Sequence, residues 1–340
     1  MKKRTRNLFL GSGAAVAGIA AAKIAVDALA RYLVSIALDR DLPPSPKRGQ
    51  ARLTGSGTDD ALLERMRDAA AALENAGCET VTITAHDGVQ LVGHWQTCEE
   101  PERVIIAMHG WRSTWAKDFG VVAESWHKQH CNVPYVEQRG QDGSGGDYMG
   151  FGLLERYDCL DWINWVNQAG HSVYEGRRLP IYLCGVSMGA TSVLMAAGLP
   201  LPANVRGIVA DCGFTSPHAI WKHVAERNLH LPYSVLGNIA NDICRRKIQV
   251  GTQEYSTLDA MEHCTVPVLF IHGTDDHFVP VEMTYENYKA CAAPKRLFVV
   301  PGAGHGSSYF IDRDGYERAI KAFWDDYDGM DKGCSDEKKT

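Results

Sequence analysis

The stretch Ile181-Tyr182-Leu183-Cys184-Gly185-Val186-Ser187-Met188-Gly189-Ala190 decides the fold. An apolar run of strand formers drives into Gly-x-Ser-x-Gly, and small helix-compatible residues follow at once. That order predicts a strand, a sharp turn and a helix, the context of a nucleophile elbow. The turn holds Ser187 in a strained backbone region, and only glycine at 185 and 189 lets neighbouring backbone come so close. The strain lifts the Ser187 hydroxyl out of the sheet to a helix N-terminus. There the Met188 amide is placed to help stabilise an oxyanion.

A serine hydroxyl is a poor nucleophile until a base takes its proton, so a histidine and an acid are expected elsewhere. Both follow in the order Ser, Asp, His. Val266-Pro267-Val268-Leu269-Phe270-Ile271 reads as a buried strand running into His272-Gly273-Thr274-Asp275-Asp276-His277-Phe278-Val279-Pro280. Arg296-Leu297-Phe298-Val299-Val300 is a further strand, ending in Pro301-Gly302-Ala303-Gly304-His305-Gly306. Catalytic groups of an open parallel sheet lie just past the carboxyl ends of its strands, and Ser187, Asp276 and His305 all do. Asp211, at the end of Val205-Arg206-Gly207-Ile208-Val209-Ala210-Asp211, competes for the acid's role. The requirement is only a carboxylate that orients the imidazole and stabilises its protonated form.

These motifs together resemble the α/β-hydrolase superfamily, and within it the serine aminopeptidase, lysophospholipase and monoacylglycerol-lipase-like group, over residues 79–328. Val104-Ile105-Ile106-Ala107-Met108-His109-Gly110-Trp111 is similar to the strand and His-Gly loop that supply the first oxyanion amide, here that of Trp111. Gln138-Arg139-Gly140-Gln141-Asp142-Gly143-Ser144-Gly145-Gly146 resembles the group's Arg-Gly-x-Gly-x-Ser loop, with Asp142 standing where glycine is usual and Gln141 where histidine is frequent. The resemblance implies a doubly wound, mostly parallel sheet and acyl transfer through Ser187 with His305 as base. By the group's His-Gly-x-x-Asp-x-x-Val-Pro spacing it implies Asp276, not Asp275, as the acid.

Composition narrows the remaining classes. The chain has 340 residues, 45% hydrophobic, enough for one large α/β domain with appendages. A net charge of −6 gives no bulk attraction to nucleic acid, and Arg245-Arg246-Lys247 reads as a solvated helix face. The ten cysteines include no Cys-x-x-Cys pair and look like reduced thiols, which points the catalytic domain to the cytoplasmic side. No metal-ligand spacing is present and the chemistry needs no cofactor.

The N-terminus carries a separate signal. Lys2, Lys3, Arg4 and Arg6 precede an apolar stretch over 8–22, shaped like a signal peptide or an anchor, with Ala20-Ala21-Ala22 as a small-residue cleavage site. Apolar residues continue to Leu38, while Lys23, Asp27, Arg31, Ser35 and Asp39 make a polar stripe at four-residue steps. Residues 8–38 are therefore expected to form one long helix. The competing readings are a membrane-associated or membrane-lying helix, a secreted protein's signal, and a helix packed on the domain.

Residues 1–40 are thus an N-terminal helix, 41–78 a linker and helix capped by Thr58, 79–330 the α/β domain, and 331–340 a charged tail. Asp87-Gly88 between two strand patterns predicts a hairpin. Helices are expected over 118–129 and 153–168, with a strand at 132–137 between them. An insertion at 214–265 breaks the alternation with helices at 217–228, 233–246 and 258–263. In the resembled group such a segment is a lid, and a helical crossover without specificity is the plainer alternative. Trp111, Trp115 and Trp221 are either lining for an apolar acyl pocket or core aromatics.

The implied activity is a serine esterase or lipase acting on a small-molecule acyl substrate. Peptidase, amidase and acyltransferase are alternatives on the same fold. The alternative of another class is a non-catalytic binding protein, which generally betrays itself by a missing triad member.

Overall fold

The computed structural model describes residues 2–43 and 60–329, with side chains from 20–43 and 61–329. Residues 44–59, with most of the linker and the Thr58 cap, the side chains of the apolar run before residue 20, and the charged tail lie outside the described residues.

Eight strands form one sheet. They are β1 (Glu79–Thr84), β2 (Gln90–Gln96), β3 (Arg103–Met108), β4 (Cys131–Val136), β5 (Ile181–Val186), β6 (Val205–Asp211), β7 (Val268–Gly273) and β8 (Lys295–Val300). Their spatial order is β1-β2-β4-β3-β5-β6-β7-β8. The Asp87-Gly88 turn makes β1 and β2 antiparallel, and β2 also runs against β4. From β4 to β8 every pairing is parallel. Parallel strands are covered on both faces, which is why β3, β4 and β7 are predominantly apolar and are buried along their whole length.

Side chains alternate between two cores. Ile105, Ala107, Tyr135 and Tyr182 face α3 (Trp115–Lys128) and, near the C-terminus, the helix Arg313–Tyr327. Val104, Ile106 and Leu183 face α4 (Glu155–Gln168) and α5 (Met188–Ala196). Trp115 belongs to the first core, stacked on His94 with ring centroids 4.0 Å apart, so it is not part of an acyl pocket. Before the sheet come α1 (Lys2–Leu38) and α2 (Asp60–Glu74).

The insertion holds α6 (Pro217–His223), a π-helical turn (Val224–Asn228), α7 (Tyr233–Ile248) and α8 (Thr257–Glu262). Ser216 caps α6, accepting from the Ala219 amide, and Ser256 and Asp259 form a capping box on α8. A third apolar cluster joins this insertion to α1 through Ala30, Val34 and Leu38 against Leu236, Ala240 and Ile243. The polar stripe of α1 is in place, with Arg31 paired to Asp27 at 2.6 Å and Ser35 donating to Asp39 at 2.6 Å. Lys247 is not on a solvated face: it reaches across from α7 to Asp39 at 2.7 Å. Among the described residues no helix is long and apolar enough to cross a membrane. The nine cysteines of the described residues are free thiols.

Candidate active site

Ser187 sits where β5 ends and α5 begins, at φ 55° and ψ −115°, a region L-residues rarely adopt. The two flanking glycines are obligatory on steric grounds. A Cβ on Gly189 would overlap the carbonyl oxygen of Met108, and one on Gly185 would overlap the Gly189 carbonyl. The turn is thus wedged between its own helix and the end of β3.

The structure brings Ser187, His305 and Asp276 together. Nε2 of His305 lies 2.9 Å from Ser187 Oγ, and its Nδ1 lies 2.7 Å from Asp276 Oδ2. Asp276 is fixed from the other side, Oδ1 accepting from the amides of Phe278 at 2.9 Å and Val279 at 2.8 Å. Oδ2 also meets His272 Nε2 at 3.1 Å. Nε2 of His272 faces the Val279 carbonyl at 2.9 Å too, and its Nδ1 faces the Thr284 hydroxyl at 2.6 Å. An Nε2–H between two acceptors is the tautomer that fits. Burial alone would raise the pKa of Asp276, but His305 and His272 hold it well below the usual carboxylate range.

Asp211 and Asp275 do not reach the imidazole. Asp211 accepts from Ser308 Oγ at 3.3 Å, and burial pushes its pKa up to about 6. Asp275 accepts from the Thr274 hydroxyl at 2.8 Å on the exposed side of the loop. His305 keeps 29% of its side-chain surface open, and Phe278 packs edge-on against its ring. Burial pulls the His305 pKa down, but Cys212 and the Asp276 carboxylate push it the other way, and the net shift is upward. Cys212 is itself a buried thiol pushed up to about 11, neutral at physiological pH, so the lasting charge beside His305 is that of Asp276.

The loop after β3 is held in detail. Its Gly110 amide donates to Asp118 Oδ2 at 2.7 Å and its Arg112 amide to Gln141 Oε1 at 2.5 Å. Between them, the Trp111 N–H finds no protein acceptor among the described residues. The Met188 N–H, in the first turn of α5, likewise has none. A Cβ on Gly110 would come 3.3 Å from Ser187 Cβ, so the loop lies directly against the nucleophile turn. Gln141, at the position where the resembled group has histidine, thus fixes this loop. Asp142 adopts φ 45°, the left-handed backbone that explains why glycine is usual there.

Arg139 anchors the same region from below. Its guanidinium reaches Asp158 at 2.6 Å and Asp87 at 2.8 Å, with the Arg139 and Asp158 side chains only 4% and 2% exposed.

Beyond Ser187 a cavity of about 100 Å³ opens. Trp111, Phe151, Phe214, Trp221 and Tyr233 line it from the domain and the insertion, and Ala30, Val34 and Ala37 from α1. None of its lining residues carries a charge. Sequence reasoning missed His272, Phe278 and the whole α1 wall. A histidine four residues before Asp276 was the available signal for the first.

Fold and site together define a serine hydrolase of the α/β-hydrolase superfamily. The chain belongs to the prolyl oligopeptidase family, whose model matches residues 118–330. It is 28% identical over 195 residues to YqkD of Bacillus subtilis (strain 168), covering 57% of this chain and 62% of that protein's length. It is 26% identical over 244 residues to YfhR of Escherichia coli (strain K12), covering 70% of this chain and 76% of YfhR. Among solved structures it is similar to the Pyrococcus furiosus esterase Pf2001, at TM-score 0.61 and 22% identity over 75% of this chain and 94% of that one. At that identity the likeness is one of fold.

Proposed function

We propose that the protein hydrolyses carboxylic esters of apolar acyl groups through an acyl-enzyme on Ser187. The observation that carries this reading is the uncharged, aromatic- and aliphatic-lined cavity that opens on the Ser187 side chain. An apolar acyl chain fits it, whereas a peptide's charged terminus would lose its hydration there without a partner. Ser187 Oγ attacks the carbonyl carbon as His305 Nε2 takes its proton, and the oxyanion is met by the Trp111 and Met188 amides. As the tetrahedral adduct collapses the ester C–O bond breaks, and His305 returns the proton to the departing alkoxide. Water then repeats both steps on the acyl-enzyme and frees the acid. Asp276 holds the Nδ1–H tautomer throughout. Helices α6 and α7 serve as the lid.

Amide cleavage is the second reading, favoured by the family to which the chain belongs. A panel of p-nitrophenyl alkanoates beside aminoacyl p-nitroanilides, run on wild type and Ser187→Ala, tests the choice. Turnover of esters alone is expected. Faster anilide than ester turnover would reject the ester reading.

We also infer that α1 rests against a membrane surface. Residues 20–25 are exposed, Ile24 to 71%, and the basic cluster at 2–6 lies just upstream. Flotation with anionic vesicles checks this, and full-length protein left at the bottom of the gradient would exclude it.

A further inference from the structure

The last turns of α1 are built into the site rather than laid over it. Ala30, Val34 and Leu38 stand at four-residue steps on its buried face and are no more than 2% exposed. The final carbonyls of a helix have no partner within it. Here the site supplies them. Arg112 donates to the Ile36 carbonyl at 2.9 Å and the Asp39 carbonyl at 2.5 Å, and the Trp111 indole donates to Ala37 at 2.9 Å. The Met149 amide takes Leu38 at 2.7 Å. Trp111 and Arg112 belong to the loop that faces Ser187, so the helix register and the loop position are set by the same bonds. Held in this way, α1 presents Ala30, Val34 and Ala37 to the cavity.

We propose that this face of α1 is the specificity-determining wall of the acyl pocket, with Ala30 and Val34 setting the length of chain accepted. The proposal rests on the acyl-pocket reading above, and small residues at 30 and 37 are what leave room beside Val34. A rigid wall discriminates by the methylene: one group too many or too few in an apolar pocket is worth about 10- to 200-fold in specificity.

Two readouts on full-length protein separate the wall from the ester chemistry. Alkyl fluorophosphonates of rising chain length report on the cavity through the rate of Ser187 labelling, whatever the natural leaving group. p-Nitrophenyl esters of the same lengths report turnover. Ala30→Leu narrows the cavity and is expected to slow labelling by the longest probe at least about tenfold relative to the shortest. Val34→Ala widens it and should move the preference toward longer chains. Profiles unchanged from wild type in both folded variants overturn the proposal. If Ala30→Leu does not fold, an unchanged profile in Val34→Ala overturns it alone. Shifted labelling profiles without ester turnover leave the wall standing and remove the ester reading, and a wild type that resists labelling overturns both.

Discussion

Asp276→Asn removes one charge and almost no volume, and the surrounding bonds dictate how the new amide must lie. Oδ1 accepts from two backbone amides, Phe278 and Val279, so the asparagine oxygen has to occupy that position. The –NH2 group then falls where Oδ2 stood, 2.7 Å from His305 Nδ1 and 3.1 Å from His272 Nε2. A donor there forces His305 Nδ1 to be the acceptor, which moves the ring proton to Nε2. Nε2–H can only donate to Ser187 Oγ, so the base is lost. In the serine-protease template the wrong tautomer costs about 10⁴-fold in turnover, about 5 kcal/mol of barrier at 1.36 kcal/mol per factor of ten. Because Asp276 does not line the cavity, the loss should fall on kcat with KM little changed. The assay is ester turnover on protein shown folded by circular dichroism, with Asp275→Asn and Asp211→Asn beside it. An Asp276→Asn enzyme within tenfold of wild type, next to an inactive Asp211→Asn, would refute the assignment.

Ser187→Ala and His305→Ala should each abolish turnover, and the double variant should be no slower than either single one, because they act as one proton-transfer unit. A double variant far slower than both would break that unit apart. The pH profile follows from the sign of the His305 shift: only neutral His305 accepts the serine proton, and its pKa is raised, so kcat/KM should fall with an acid limb centred above the ordinary value of about 6.5. A limb centred below that value would contradict the coupling to Asp276. Arg139→Met strands the buried Asp158 carboxylate and should cost about 3–5 kcal/mol in urea unfolding, with Arg139→Met/Asp158→Leu recovering most of it. Equal losses in the single and double variants would show that packing, not charge, holds that loop.

Much of the site was legible because a strained turn leaves a short and unforgiving signature. Gly185 and Gly189 are there because no side chain fits against Met108 and the turn's own backbone, and that constraint is local enough to survive in the sequence. The alternation of apolar runs gave the sheet and the placing of Ser187, Asp276 and His305 past its strand ends. The choice between Asp276 and Asp211 is a different kind of question. Both lie at or just past the carboxyl ends of parallel strands, so position along the chain does not separate them. What separates them is the company each carboxylate keeps: two loop amides and two imidazoles for Asp276, the Ser308 hydroxyl within a buried pocket for Asp211. Trp115 shows the same limit, since an aromatic near the Trp111 loop reads alike whether it points to the cavity or, as here, onto His94.

The N-terminal helix marks where periodicity stops informing. Apolar spacing establishes that a helix has a face to bury, and says nothing of what buries it. In 30–38 that face meets the insertion and the cavity, while 20–25 stay exposed, yet both stretches are mostly apolar. The signs that part them are polar and non-local. Asp39 looked like one more step of a surface stripe, and it is the residue Lys247 reaches from α7. Arg112 carried no signal in the sequence, and its donors close the end of α1. An anchor that only tethered the domain would need no such closure, because its last carbonyls could face water. Bonding them to the Trp111 indole and the Arg112 guanidinium makes displacement of the helix and distortion of the loop beside Ser187 a single event.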